Sequence, residues 1–418
     1  MFGDHLINLV NNKKNLEVFV QKYYVQDEQQ LIEVCQQLAT SSLLAIDTEF
    51  VRTRTYYPKL GLLQVCDGKI LALIDPVTIT DLSPFWQLLN DVNIRKVLHA
   101  CSEDLEVFLR ASCQPENMID SQIMMAFLGH GLSMGYAAMI QHFEGIELDK
   151  SESRTDWLKR PLSARQIEYA QADVEFLIKV YPKIVTQLEQ KQLQNQDKTD
   201  QNETDQNETK QAQAINLMDF ALEETQKLIN KKFTGLDPEL LYLTVKQSWR
   251  LNRRQLNNLK HLAKWRYNRA QQRDLPLNFV VKEATLVSVA QYNPANVGVM
   301  ANIQGIDTLD VRHQGKAMLT ILRQASNDKE SDYPEVIVRL DQYPGYKGNY
   351  KKVKNFIADV AEKSTLSADI LASKKQINQY LTTYFHINNA KAQQPKVDFL
   401  QGWRFELFGD QLNKLLAN

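Results

Sequence analysis

Short apolar runs alternate with amphipathic stretches over the first 190 residues. Residues 19–25 predict a leading strand, and Leu31, Val34, Cys35 and Leu38 fall on one face of a helix over 27–40. Leu43-Leu-Ala-Ile46 predicts a buried strand that runs straight into Asp47-Thr-Glu49-Phe50. Leu60–Cys66 and Ile70–Ile74, linked at Asp67-Gly68, predict a hairpin. Val97–Ala100 predicts another strand, Glu103–Ala111 a helix, and further helices follow Asp120. Strands that open antiparallel and continue between helices predict an α/β domain of mixed strand direction over residues 1–190.

The pattern weakens over 191–230. Residues 189–213 are polar and repeat Asp-Gln-Asn-Glu-Thr at 200–204 and 205–209. Such a tract has too little apolar surface to bury, which predicts a disordered insertion or linker. Helical spacing returns over 231–326 and 327–418, punctuated by Pro238, Pro276, Pro294, Gly305 and Gly315. Two all-α units are expected, with Leu366–Leu381 and Asp398–Leu416 as the clearest helices of the second.

Charge separates these regions. Net charge is −1 overall, but −8 for residues 1–190, −4 for 191–230 and +11 for 231–418. Residues 241–270 hold Lys246, Arg250, Arg253, Arg254, Lys260, Lys264, Arg266 and Arg269 and no acid. An acidic half joined to a basic half suits a metal-using domain beside one that grips a polyanion. Cys35, Cys66, Cys101 and Cys113 have no zinc-type spacing and read as reduced thiols of a cytoplasmic protein. The Met-Phe-Gly-Asp-His start has no basic or apolar leader pattern, and no run is long enough to cross a membrane. No Gly-x-x-x-x-Gly-Lys loop is present, so no nucleotide cofactor is expected.

Asp47 and Glu49 lie two apart on a strand and so project from one face. At about 5 Å and an effective dielectric of about 20, two such charges repel by roughly 3 kcal/mol. Either a cation belongs beside them, or they are solvated acids at a strand end. Ser102 is a candidate N-cap, with Glu103 and Asp104 in the first turn, where the helix dipole alone would account for them. Tyr169 and Asp173 are four apart on one helix face, a pairing that serves structure as readily as chemistry. The loop Val51–Lys59 interleaves Arg52, Arg54 and Lys59 with Tyr56 and Tyr57, which suits a single-stranded nucleic acid and equally an ordinary hairpin loop. Asp120 reads as the cap of the following helix.

Taken together, these residues are more specific. Asp-x-Glu closing a strand, Asp at a strand-to-helix junction and Tyr-x-x-x-Asp on a later helix resemble the DEDD 3′–5′ exonucleases of the tyrosine subtype. Ile46–Gly61, His99–Glu106, Leu148–Trp157 and Arg160–Leu162 resemble the bacterial ribonuclease D family within it. Trp249, Leu256, Leu259, Leu262, Trp265, Arg266, Ala270, Asp274 and Pro276 resemble the HRDC domain, and residues 370–381 and 400–416 a degenerate second copy. The polar tract and a short extra N-terminus depart from the family without touching a motif.

The resemblance implies an α/β ribonuclease H-like exonuclease domain followed by two all-α HRDC-type domains. It implies two divalent ions, Mg²⁺ or Mn²⁺, about 3.5–4 Å apart. Asp47 would bridge them, Glu49 and Asp173 would complete the water-activating site, Asp104 would hold the second ion, and Tyr169 would orient the water. Phe50, His99, Arg52, Arg54, Tyr56, Lys264 and Arg266 are candidate substrate contacts. The implied activity is 3′-to-5′ trimming of RNA, with tRNA precursors as substrate, by a monomer. A DNA exonuclease and a non-catalytic nucleic-acid-binding protein are the alternatives.

Overall fold

The computed structural model describes residues 20–202, 216–387 and 397–417. Phe19, the second Asp-Gln-Asn-Glu-Thr unit and the extra N-terminus lie outside them. The first domain contains β1 (Gln21–Val25), α1 (Glu28–Leu38), β2 (Leu43–Val51), β3 (Lys59–Cys66) and β4 (Ile70–Ile74). It continues with α2 (Ser83–Asn90), β5 (Arg95–Leu98), α3 (Asp104–Arg110), β6 (Met118–Asp120), α4 (Ser121–Leu128), α5 (Tyr136–Glu144), α6 (Ala164–Asn202) and α7 (Leu217–Thr234).

The strands form one sheet in the order β1-β4-β3-β2-β5-β6. β3 lies between β2 and β4 and runs antiparallel to both, whereas β1 joins β4, and β5 and β6 extend from β2, in parallel. The hairpin turn is Gly68-Lys69, one residue later than expected. Gly68 takes φ +90, and Asp67 closes the turn by accepting hydrogen bonds from the Lys69 and Ile70 amides. β5 stops at Leu98, short of the expected Ala100, whose φ of +56 turns the chain toward α3. Ser102 does not cap that helix; Glu103 holds the cap position without a side-chain bond.

Apolar residues on both faces of β2 and β3 bury the sheet between two layers. Leu44, Ile46, Leu63 and Val65 pack with α1, α2 and α3 on one face, and Ala45 and Leu62 pack with α4, α5 and α6 on the other. α6 does not end at the polar tract but runs on into it as far as Asn202. α7, within the stretch read as linker, is a structural part of the domain. Its Leu217, Phe220 and Ala221 join one core and Ile229 the other, because they recur on one apolar face.

The first helical unit is α8 (Arg253–Arg273), α9 (Leu277–Val280), α10 (Glu283–Tyr292), α11 (Val297–Ala301) and α12 (Thr308–Ala325), around its own core. The second is α13 (Tyr346–Ser364), α14 (Ala368–Leu371), α15 (Lys374–Tyr384), α16 (Gly402–Arg404) and α17 (Asp410–Ala417). The helix expected over Leu366–Leu381 is broken at Ala372-Ser373, where Ser373 caps α15. The helix expected over Asp398–Leu416 is likewise divided, and α13, not singled out above, is the longest of this unit. Val353, Ile357, Phe399, Trp403 and Phe408 merge with the core that holds α4 and α6. Trp403 stacks on Phe220 at 4.9 Å, and Arg404 pairs with Glu224 at 2.6 Å.

Candidate active site

β2 carries Asp47 and Glu49 on the face that meets α6. Ala170, Val174 and Leu177 of α6 bury against this face, and that orientation presents Tyr169 and Asp173, one turn apart, to the strand. Ligand atoms of Asp47, Glu49 and Asp173 lie within 4.8 Å of one another. A register shift between Glu49 and Phe50 interrupts the β2–β3 ladder just beyond the pair, a device that re-aims side chains next to sites. Asp104 arrives from the other layer, and its Oδ1 accepts a 2.5 Å hydrogen bond from the Thr48 hydroxyl. Thr48 therefore ties α3 to the strand from the face opposite Asp47 and Glu49.

Glu49 and Asp104 are buried, and among the described residues no lysine or arginine pairs with any of the four carboxylates. Burial, then the charges of Asp104, Asp173 and Glu49, raises Asp47 well above the ordinary carboxylate range. Burial and the Asp173 and Asp104 charges push Glu49 up to about 9. Burial raises Asp173 to about 7 against the opposing hydrogen bond from Tyr169, and Asp104 to about 6 against that from Thr48. Such carboxylates ionise together only if positive charge comes from outside the chain. An all-oxygen donor set of this kind fits a hard divalent cation.

A cavity of about 680 Å³ opens over the cluster, lined among others by Asp47, Tyr169, Asp173, His99, Tyr136 and Lys150. Tyr136 and Lys150 were not foreseen. The Tyr136 hydroxyl donates toward the Asp173 carbonyl at 2.6 Å and the Ala172 carbonyl at 2.9 Å, tying α5 to the turn of α6 that carries Asp173. Burial holds the Tyr169 phenol above its ordinary pKa, with its hydroxyl hydrogen-bonded to Asp173. The Trp157 ring lies 6.0 Å from that of Tyr169.

The other candidate contacts divide. Phe50 is half-buried against the α1–α3 core. His99 lines the cavity, but both ring nitrogens are committed: Nε2 donates to the Met134 carbonyl at 3.0 Å, and Nδ1 lies 2.9 Å from Ser121 Oγ. Asp120 caps α4, as expected, and also accepts from the Ala100 and Cys101 amides. Arg52 pairs with Glu106, which Lys232 of α7 also binds. Tyr56 turns away from the cavity. Its ring meets Tyr267 of α8 at 6.1 Å, and the Tyr56 and Tyr57 amides donate to Asp274 at 3.0 and 2.9 Å. Arg54 is exposed.

The basic run on α8 differs most from expectation. Arg266 faces inward, 6% exposed and bonded to the Val281 carbonyl, because α8 packs that side against α9. Lys260 and Lys264 both pair with Glu239, and Arg253 with Glu335. A buried or ion-paired cation is a poor grip for phosphate.

Residues 23–189 match the 3′-5′ exonuclease family model, 255–322 the HRDC domain and 344–412 the ribonuclease D C-terminal HRDC domain. The ribonuclease D of Cronobacter turicensis is 40% identical over 93% of this chain and 98% of that protein. The chain belongs to the ribonuclease D family. The ribonuclease D of Escherichia coli K12 is also 40% identical, over 92% of this chain and 96% of its own length. Its crystal structure, described as an exoribonuclease involved in structured RNA processing, superposes with a TM-score of 0.85 at 38% identity, covering 95% of this chain and 99% of that one. A Bifidobacterium adolescentis protein at 19% identity shares the fold, with a TM-score of 0.62 over 96% of this chain and all of that one. Family membership makes this chain a 3′–5′ exoribonuclease, a phosphodiester hydrolase, and sets aside a purely non-catalytic role. Among the described residues no helix is long and apolar enough to cross a membrane.

Proposed function

We propose that this enzyme removes nucleotides one at a time from the 3′ ends of RNA, tRNA precursors in particular, and releases 5′-mononucleotides. We further propose that it works as a cytoplasmic monomer. The observation that carries the chemistry is the cluster of Asp47, Glu49 and Asp173, with the Asp104 charge acting on all three, none of them ion-paired to a lysine or arginine among the described residues, under an open cavity. Asp47, Glu49 and Asp173 would hold one Mg²⁺ or Mn²⁺, and Asp47 with Asp104 a second. When bound, such a pair activates the attacking water and stabilises the leaving oxygen of an in-line displacement.

The chain's own groups do the positioning. Tyr169 keeps its proton, donates it in a hydrogen bond to Asp173, and has an oxygen lone pair left to accept from the attacking water. It orients that water and does not take its proton. Tyr136 fixes the turn of α6 that carries Asp173. Lys150 and Arg165 supply positive charge to a cavity floored by acids.

The test is hydrolysis of 5′-labelled single-stranded RNA and DNA, with free or phosphate-blocked 3′ ends, with and without Mg²⁺. Metal-dependent shortening of free-ended RNA, with mononucleotide product, is expected. Faster shortening of DNA than of RNA would replace the substrate assignment.

A further inference from the structure

Several lysines of the second helical unit stand in a different state from Lys260, Lys264 and Arg266 of α8. Lys347, Lys351 and Lys354 are spaced i, i+4, i+7 on α13, so they form one stripe about 10 Å long at 1.5 Å rise per residue. All three are exposed, and among the described residues none is in an ion pair or hydrogen bond to an acid. The inward face of the same helix is Val353, Ile357 and Val360, which fixes the stripe on the outside. No acid occurs between Asp341 and Asp359, and Asp341 already pairs with Arg339.

α15 adds to this surface. The Tyr346 hydroxyl donates to Asn378 Oδ1 at 2.9 Å, which sets the start of α13 against α15. Lys374 and Lys375, exposed, lie four and three residues before Asn378 and so sit one turn from that bond. Just before α13, Tyr343 is 37% exposed and packs on Phe385 at 4.6 Å. Lys347, Lys351 and Lys354, unpaired with any acid among the described residues, together with Lys374 within electrostatic reach of the Arg339-paired Asp341 and an exposed ring beside them, match the way proteins track a single-stranded backbone while bases stack.

We propose that the face of α13 and the start of α15, with Lys347, Lys351, Lys354, Lys374 and Lys375, is the surface of this enzyme that binds the RNA backbone away from the cleavage site. The proposal rests on the reading of RNA as substrate, and it moves the polyanion grip from α8 to the C-terminal unit. The physical reason is availability: an unpaired lysine can meet a phosphate directly as the RNA sheds its condensed cations, whereas Lys260 and Lys264 would first have to leave Glu239.

The experiment measures affinity of the full chain for a 3′-phosphorylated single-stranded RNA, with calcium in place of magnesium, across a range of salt. Replacing Lys347, Lys351 and Lys354 together by Gln is expected to flatten the log–log salt dependence by about 2, from three single-strand phosphate contacts at about 0.7 each. Replacing the same three by Arg should keep the wild-type slope, which separates charge from folding. The pair Lys260→Gln, Lys264→Gln should leave the slope unchanged. A wild-type slope in the triple Gln variant overturns the proposal while the RNA reading stands. Failure of the wild-type enzyme to bind or shorten RNA at all overturns both.

Discussion

Asp75 and Glu49 are buried carboxylates of the same sheet, one just past β4 and the other near the end of β2, and the chain surrounds them in opposite ways. Asp75 meets the Arg160 guanidinium edge-on, with Nε at 2.5 Å and Nη2 at 2.6 Å, and also accepts from the Tyr24 hydroxyl at 2.7 Å. Burial raises its pKa, but Arg160, Tyr24 and the Val77 amide outweigh that and leave it below the ordinary range. Glu49 has three acidic neighbours and rises instead. Both sites are desolvated; only one is neutralised from within. The pair at Asp75 is complete and therefore structural, and the group at Glu49 is complete only with cations the chain does not supply.

That contrast breaks most visibly at Asp47. Asp47→Asn should lower RNA hydrolysis by about 10⁴-fold or more, the scale on which a member of a catalytic set is lost. It should also raise the melting temperature of the metal-free protein, since a carboxyl whose ionisation burial and its acidic neighbours oppose gives way to a neutral amide. Single-turnover assays and thermal scans check both, and turnover within tenfold of wild type would remove Asp47 as an ion ligand.

Next in size is Tyr169→Phe, expected to slow turnover by roughly 10²–10⁴-fold, the span for a positioned proton-handling group. The thermal response to metal should persist in this variant, whereas Asp173→Asn should lose activity and that response together.

At the other site the effect is on stability. Arg160→Gln leaves Asp75 buried without its cation, and removal of one partner of a buried pair destabilises by about 3–5 kcal/mol. Urea unfolding near neutral pH reads this. Because the folded pKa of Asp75 is depressed, its stabilising contribution is full above the unfolded value near 4 and fades as pH falls through the folded one. The gap between variant and wild type should therefore shrink in acid, and a constant gap would mean that Arg160 acts by packing alone.

The smallest effect separates the two sites by pH. Glu49, Asp173 and Asp104 have folded values of about 9, 7 and 6, above their unfolded ones. Without metal the fold binds more protons than the unfolded chain, so this group's contribution falls as pH rises from near 4 toward 9. Added Mg²⁺ should raise the melting temperature more at pH 8.5 than at pH 6, with a difference of a few degrees at about 2–8 °C per kcal/mol. Equal metal effects at both pH values would contradict the shared burial of these acids.

Legibility in the sequence followed the range of the interaction. Asp47 and Glu49 were readable because a strand's two-residue period puts them on one face, and Tyr169 and Asp173 because a helix puts residues four apart together. Asp104 was readable only with the family's motif order, since its tie to Thr48 crosses 56 positions. The Asp75–Arg160 pair spans 85 positions with no periodic signal, and Arg160 was noted as part of a motif without its role. Arg266 misled because a dense basic run hides which of its members faces inward. α7 was missed because its apolar face follows directly on a polar tract.

The return of the last unit to the first has a consequence for scission of the chain. Trp403 lies on Phe220 and against Phe127, and its indole Nε1 donates to Glu224 at 2.8 Å. The chain thus leaves the first domain after Thr234 and comes back to it at Gly402–Arg404, with the α8–α12 unit held between two anchorages. A protease cut between α12 and α13 would sever the backbone without parting the pieces. The fragments should co-elute under native conditions and separate only in denaturant, so a nicked enzyme would pass for an intact one until it was unfolded.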